Sequence, residues 1–235
     1  MADPAPANDP SLRPSNPVAE AENRDRILAG LIHELKTPLS AIVLWASFLD
    51  DHREELSPVV RQAVDSIKRS AREEQKLIED LGVSVQIVTG RLVLEKQSID
   101  LPALVREVVQ SVRAEAADPA LEIAERFDFP HARAAGDPAW IRPLVERLLT
   151  HAIRRSPPGG KITVSVTSAG TLTQLTVADS GRDLPADFLR GPEPKLALPL
   201  AIVRQIVELH GGALSASPAE RGSGARFTAS LPSAA

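Results

Sequence analysis

Between residues 28 and 49, apolar or kink-tolerant side chains recur at Leu28, Leu31, Leu35, Pro38, Ile42, Trp45 and Leu49, in alternating steps of three and four. This spacing is the seam of a helix packed against other helices. With about 100° of turn per residue, His33 falls nearly opposite both Leu31 and Leu35, so the seam is expected to point inward and the imidazole outward. Thr37 lies one turn on, beside His33, and Glu34 borders the same exposed face. Pro38 removes one backbone donor and should kink the helix just past the histidine. A solvent-exposed neutral imidazole is a nucleophile near pH 7, and a carboxylate holding one ring N–H makes the other nitrogen more nucleophilic. A lone surface histidine is more often simply solvated, so the assignment rests on the string around it.

This first helix is expected from about Val18–Asn23 to Asp51. Ser57-Pro58 is a helix start. A second helix follows to about Thr89, with Val60, Val64, Ile67, Ala71, Ile78, Leu81, Val85 and Val88 as its seam and Glu74 as a polar break. Two antiparallel helices with one seam each cannot bury both alone. Pairing with a second copy gives a four-helix bundle; the alternative is packing on the downstream residues.

After Gly90 the periodicity becomes mixed. Strands are expected at Arg91–Gln97, Leu121–Phe129, Lys161–Ser168, Thr171–Ala178, Ala213–Ser217 and Ala225–Leu231. Helices are expected at Leu101–Ala117, Pro138–Ser156 and Leu198–His210, the last stopped by Gly211-Gly212. Ala169-Gly170 between two alternating runs is a hairpin signal. The pattern reads as an α/β sandwich following a helical hairpin. The expected division is a disordered N-terminus at 1–19, a helical hairpin at 20–90 and the sandwich at 91–235.

Composition narrows the function. The net charge is −4 with no block of basic residues, which argues against nucleic-acid binding. There is no cysteine, hence no disulfide framework and no thiolate metal site. Residues 1–17, rich in Pro, Ala, Asn and Asp, lack the basic and apolar regions of a signal peptide. The longest useful apolar run, Leu196–Val203, is too short for a bilayer. The expectation is a cytoplasmic chain without membrane insertion, regulated by an input arriving from elsewhere. His52, His131, His151 and His210 have no metal-ligand spacing and read as structural or surface residues.

The seven residues His33-Glu34-Leu35-Lys36-Thr37-Pro38-Leu39 resemble the phosphoacceptor box of sensor histidine kinases. The resemblance implies that His33 carries phosphate on its outer ring nitrogen. It also implies that Glu34 assists as base or orienter, and that Thr37 can position water for dephosphorylating a partner. It further implies a homodimeric bundle with one histidine per chain on its outer surface. The later segments Gly136-Asp137, Arg147–Ser156, Val177–Gly181, Leu200–Gly212 and Gly222–Phe227 resemble the ATP-binding domain of the same family, a Bergerat-type sandwich. The fold class is therefore α+β: a long helical hairpin forming a dimeric four-helix bundle, then a Bergerat-type α/β sandwich.

The nucleotide boxes depart from the family pattern. Two asparagines of the second-helix box, the later a Mg²⁺ ligand, are replaced by Arg147 and His151; imidazole is a poor substitute for a hard oxygen ligand. Asp179 and Gly181 match the box whose aspartate reads adenine, but its second glycine is Asp183. Only Pro185–Lys195 stands where the family has a long lid. A glycine pair that offers N–H groups to phosphate appears as Ala197 and Pro199, and proline has no N–H to offer. Asp179 and Gly181 are thus expected as vestigial positions, and the Gly222-Ser223-Gly224 loop as a turn.

The leading expectation is a two-component phosphorelay protein. His33 exchanges phosphate with an aspartate of a response-regulator receiver domain, which supplies its own Mg²⁺; this chain binds no cofactor. The surface around Ile32, Lys36, Ser40 and Val43 is a plausible receiver contact. The alternatives are an ATP-dependent histidine autokinase with an unorthodox site, and a non-catalytic scaffold that binds a response regulator.

Overall fold

Ser57 opens the second helix of an antiparallel hairpin: its Oγ accepts the Val60 N–H at 3.4 Å, and Pro58 occupies the first helical position. In this computed structural model, residues 17–115, 120–129, 131–184, 198–219 and 224–234 are described. The chain divides into two units, Met1–Arg91 and Leu92–Ala235. Of the expected disordered stretch, 1–16 lie outside the described residues and 17–19 already belong to the first helix.

The first unit pairs α1 (Pro17–Asp51) with α2 (Pro58–Val88) through a short 3-10 turn at Arg53–Glu55. An ionic clamp closes the tip. Arg53 donates two bonds to Asp65, at 2.7 and 2.9 Å, and a third to Asp50 at 3.0 Å, while Lys68 also bonds Asp50. The Lys68 ammonium, then the Arg53 guanidinium, hold the Asp50 carboxyl below the usual range; Arg53 does the same for Asp65. At the other end Arg91 lies 3.5 Å from Asp25.

Between these ends the interface differs from the expected seam. Leu39, Ala71 and Ile78 form its centre, with Ile32 and Val43 packed on them and Ala46 and Val64 also buried. By contrast Leu31, Ile42 and Trp45 stay 50%, 47% and 64% exposed, and on α2 so do Val60, Ile67, Leu81 and Val88. Each helix therefore carries two neighbouring apolar stripes. Periodicity alone picks one stripe on α1 and merges both on α2. The register of hairpin contact settles that Ile32 and Val43 face α2, so they are withdrawn from the expected receiver contact; Lys36 and Ser40 remain exposed.

Residues Asp25–Asp51 of α1 are long and apolar enough, by length and composition, to cross a membrane, and contain an 18-residue stretch with a mean hydropathy of 1.5. The search for an unbroken apolar run misses this, because polar residues interrupt the stretch without lowering its average enough.

The second unit is a five-stranded mixed sheet with three helices. Its order is β2 (Glu122–Phe127), β4 (Lys161–Ala169), β5 (Leu172–Asp179), β7 (Ala225–Pro232), β6 (Ala213–Pro218); only β2–β4 is parallel. β1 (Gln97–Asp100) pairs antiparallel with β3 (Arg133–Gly136), with Gln97 opposite Gly136. The expected strand over 91–97 thus falls later: only the four residues 97–100 find a partner, and β3 itself is too short to signal in the sequence.

α3 (Leu101–Glu115), α4 (Pro138–Arg155) and α5 (Leu198–Leu209) pack against the inward face of the sheet. Ile162, Val164 and Val166, Leu175 and Val177, and Phe227, Ala229 and Leu231 alternate inward along β4, β5 and β7, all fully buried. They meet Leu144, Leu148 and Leu149 of α4 and Ile202 and Ile206 of α5, also fully buried. α5 ends in the Schellman pattern: Gly212 N–H bonds Val207 O, Gly211 N–H bonds Glu208 O, and Gly211 takes φ +84°.

Candidate functional site

His33 stands exposed on α1, five residues before Pro38. Pro38 lacks an N–H, so the Glu34 carbonyl loses its usual helical donor. The neighbouring hydroxyls turn back on the helix: Thr37 Oγ1 donates to His33 O at 3.2 Å, and Ser40 Oγ to Lys36 O at 2.8 Å. Thr37 Oγ1 keeps acceptor capacity beside the histidine. Glu34 is also exposed, but among the described residues no hydrogen bond joins its carboxylate to the imidazole. Consecutive helical residues do not face one another, which is the reason. His33, Glu34 and Thr37 therefore share one solvent-facing surface without a preformed triad.

The second candidate position is at the end of β5. Asp179 is the last inward residue of the alternation Thr173, Leu175, Val177, Asp179, which is why a carboxylate lies 3% exposed. Burial of a charge demands partners, and Asp179 has three. Oδ1 accepts the Gly181 N–H at 2.8 Å and the Ala225 N–H at 3.3 Å; Oδ2 accepts Arg155 Nε at 3.1 Å. A second Arg155 nitrogen bonds the Arg182 carbonyl.

The glycines here serve close packing. A Cβ on Gly181 would sit 2.3 Å from the Arg155 carbonyl oxygen, and one on Gly224 would sit 2.0 Å from that of Asp179. Gly224 also has φ +109°. Asp183 Oδ1 accepts the Gly224 N–H at 2.9 Å, bracing the two loops together.

On α4, His151 stands one turn before Arg155. Its ring lies edge-on to Phe227 at 5.2 Å, and its Nε2 is buried with no hydrogen-bond partner among the described residues. Burial, then the nearby Arg155 charge, push its pKa down, so the ring is held neutral. Pro199 lies in the first turn of α5; Ala197 and the segment 185–197 lie outside the described residues, as do Gly222 and Ser223.

His210 caps the other end of the helical layer. It is 1% exposed; its Nδ1 donates to Ile206 O at 2.7 Å and its Nε2 accepts the Asp137 N–H at 3.0 Å. Asp137 in turn caps α4 through Ala139 N–H and holds Glu95 N–H, both at 2.9 Å. Sequence reasoning places His210 as structural but misses this bridge. It also misses Arg155 and the positive use of Asp183. The adjacent Arg154-Arg155 pair was the available signal.

A helical hairpin bearing an exposed His-Glu-x-x-Thr-Pro turn, followed by a sandwich of this topology, defines the class of histidine protein kinases. Residues 23–84 match the His Kinase A (phospho-acceptor) domain, and residues 136–235 match the histidine kinase-, DNA gyrase B- and HSP90-like ATPase. The sensor protein DivL of Caulobacter vibrioides is 29% identical over 224 residues, covering 92% of this chain and 29% of DivL. Full-length ShkA in complex with AMPPNP shares the fold at TM-score 0.69 and 23% identity, over 89% of this chain and 46% of that one. The histidine kinase ThkA, in complex with the response regulator protein TrrA, does so at TM-score 0.64 and 20% identity, over 94% of this chain and 68% of that one. The chain belongs to the two-component sensor histidine kinase family. It spans 24–59% of the length of curated relatives it matches.

Proposed function

We propose that this chain is a cytoplasmic, homodimeric histidine phosphotransferase that exchanges phosphate between His33 and the aspartate of a response-regulator receiver domain, without using ATP. The observation that carries this reading is the saturation of Asp179. An adenine amino group approaching Oδ2 would have to displace the Arg155 guanidinium from a buried carboxylate, leaving a strong charge-assisted bond unmade. The metal position fares no better. His151 is wedged against Phe227 and its pKa is lowered partly by Arg155, so a dication there would meet repulsion and a nitrogen ligand. Mg²⁺-ATP does not fit these residues, and Asp179 and Gly181 serve as packing and bracing positions. The receiver supplies the Mg²⁺ for phosphate transfer.

At the acceptor, His33 attacks the receiver's acyl phosphate: the N–P bond forms as the carboxylate leaves. Glu34 takes or steadies the second ring proton once the docked receiver has ordered both side chains. In the opposite direction the receiver aspartate attacks phospho-His33 and the imidazole leaves. In a separate hydrolytic reaction Thr37, with its hydroxyl next to His33, orients a water that attacks the receiver's acyl phosphate, releasing inorganic phosphate and the free aspartate. ThkA was captured with a response regulator, which supports a receiver as the partner.

The exposed apolar stripes of α1 and α2 support the dimer. Burying them against a second copy removes Leu31, Leu35, Ile42, Trp45 and Ile67 from water, about 1.5–3 kcal/mol for each large side chain fully buried. The same stripe accounts for the apolarity of Asp25–Asp51. That segment also carries His33, Glu34, Lys36 and Pro38 and packs on α2, as suits a bundle helix in water.

The test is a titration of the full chain with Mg²⁺-ATP, paired with transfer from phospho-receiver. Silence with nucleotide and transfer to His33 is the expected result. Micromolar Mg²⁺-ATP binding with label on His33 would favour an autokinase. Unchanged signalling output in a His33→Ala strain would favour a scaffold.

A further inference from the structure

At the hairpin end of the sheet, Phe129, His131, Arg133, Gly170, Thr173 and Ser233 line a cavity of about 450 Å³. This volume lies within the roughly 300–1,000 Å³ of small-ligand sites. The place is remote from the Asp179 position: Thr173 and Asp179 stand near opposite ends of β5, about 20 Å apart along an extended strand.

Two features give the cavity a chemical preference. Its cation is Arg133, whose guanidinium, among the described residues, bonds the uncharged Ser98 hydroxyl at 3.2 Å and no carboxylate. Among the described residues no Asp or Glu lines the cavity. Asp100 lies behind His131 and is engaged on both oxygens. Oδ1 accepts the Ala103 N–H at 3.0 Å, and Oδ2 stands 3.5 Å from His131 Nδ1. The Arg133 fork is thus open to a carboxylate, which it matches in two parallel bonds. In the same cavity Phe129 is 50% exposed and leaves an aromatic surface in water.

The hydroxyls limit the ligand's charge. Thr173 Oγ1 donates to Arg133 O at 2.8 Å, so in its 3.0 Å contact with Ser233 the Ser233 hydroxyl is the donor. Both protons are spent inside the wall. Ser233 Oγ therefore offers lone pairs alone, which suit a ligand N–H or O–H and repel a second anionic group. One guanidinium facing acceptors selects a monoanion over a dianion.

Main-chain bonds hold the walls. Ala132 N–H bonds Phe129 O at 3.1 Å, Ser233 N–H bonds Thr171 O at 2.8 Å, and Ala234 N–H bonds Arg133 O at 3.1 Å. Less freedom therefore remains to be lost when a ligand arrives. Gly170, at φ +63°, has no non-adjacent atom of the described residues within 4 Å of where a Cβ would stand, so the turn leaves the mouth clear.

We propose that this cavity binds a small aromatic monocarboxylate, its carboxylate on Arg133 and its ring on Phe129. The site is separate from phosphate exchange at His33, so either reading can fail without the other.

Calorimetric titration of the full chain with benzoate and with indole-3-carboxylate tests this, with acetate, benzamide and phthalate as controls. An aromatic acid is expected to bind with a Kd below about 1 mM, and each control about ten-fold more weakly. Amide chemical shifts should move at Ala132, Thr173 and Ser233 and stay in place at Gly181. Arg133→Gln and Phe129→Ala, both at exposed side chains, should each weaken binding about ten-fold. Binding of either acid in this pattern supports the proposal, and failure of both at about 10 mM would overturn it. So would acetate, benzamide or phthalate binding as tightly as the aromatic acids, affinity unchanged in both variants, or shifts confined to the surroundings of Gly181.

Discussion

Arg155 Nε lies 3.1 Å from Asp179 Oδ2, and the carboxylate it meets is otherwise occupied by the N–H groups of Gly181 and Ala225. Two residues on different elements, the last turn of α4 and the end of β5, thus neutralise one another inside the unit. Replacing Arg155 by Met leaves that carboxylate buried without its cation. The expected loss is about 2–3 kcal/mol, below the range for fully buried pairs because water can reach part of this site. Urea unfolding should show a lower midpoint with the slope unchanged.

Asp183 stands where the family has a glycine, and it accepts the Gly224 N–H. Asp183→Gly restores the family residue yet removes a brace and adds backbone freedom. It should cost about 1–2 kcal/mol and should not restore binding of Mg²⁺-ATP. Denaturation and nucleotide titration of one variant check both halves.

Two histidines tie stability to pH with the same sign. Burial pushes both His210 and His151 below the ordinary value near 6.5, His210 with its Nε2 committed as an acceptor from Asp137 N–H. The unfolded chain then binds more protons than the folded one below that value. Stability is full above about pH 6.5 and falls as pH drops toward the folded values. His210→Gln keeps an acceptor for Asp137 N–H and removes one titration. Unfolding free energies measured from pH 8 to 5 should fall less steeply in this variant than in the parent.

On the hairpin, Ile67 projects from the stripe of α2 that α1 leaves uncovered, 45% exposed. Ile67→Glu should shift the chain from dimer to monomer in sedimentation while far-ultraviolet circular dichroism keeps its helical signal. A substitution on the covered stripe, Ala71→Glu, should instead lower helicity, because Ala71 packs with Leu39 and Ile78.

Much of this architecture was legible in the chain. Both long helices, the hairpin at Ala169-Gly170, the Gly211-Gly212 stop and the exposure of His33 follow from periodicity and turn chemistry. What escaped depends on contacts between distant residues. Leu31 and Ile32 are equally apolar, and only the register against α2 decides that Ile32 packs on the hairpin interface while Leu31 stays open. β3 spans four residues and exists through its pairing with β1. The Arg154-Arg155 pair marks a basic helix end in the sequence, but Arg155 becomes the partner of Asp179, 24 positions away, only when α4 lies beside β5.

Receiver phosphorylated with labelled phosphate, mixed with the full chain in Mg²⁺ and without ATP, tests the central claim most directly. The account predicts acid-labile, base-stable label appearing on the chain, lost in His33→Ala and retained in Arg155→Met. Label that reaches His33 only when ATP is the donor would contradict it.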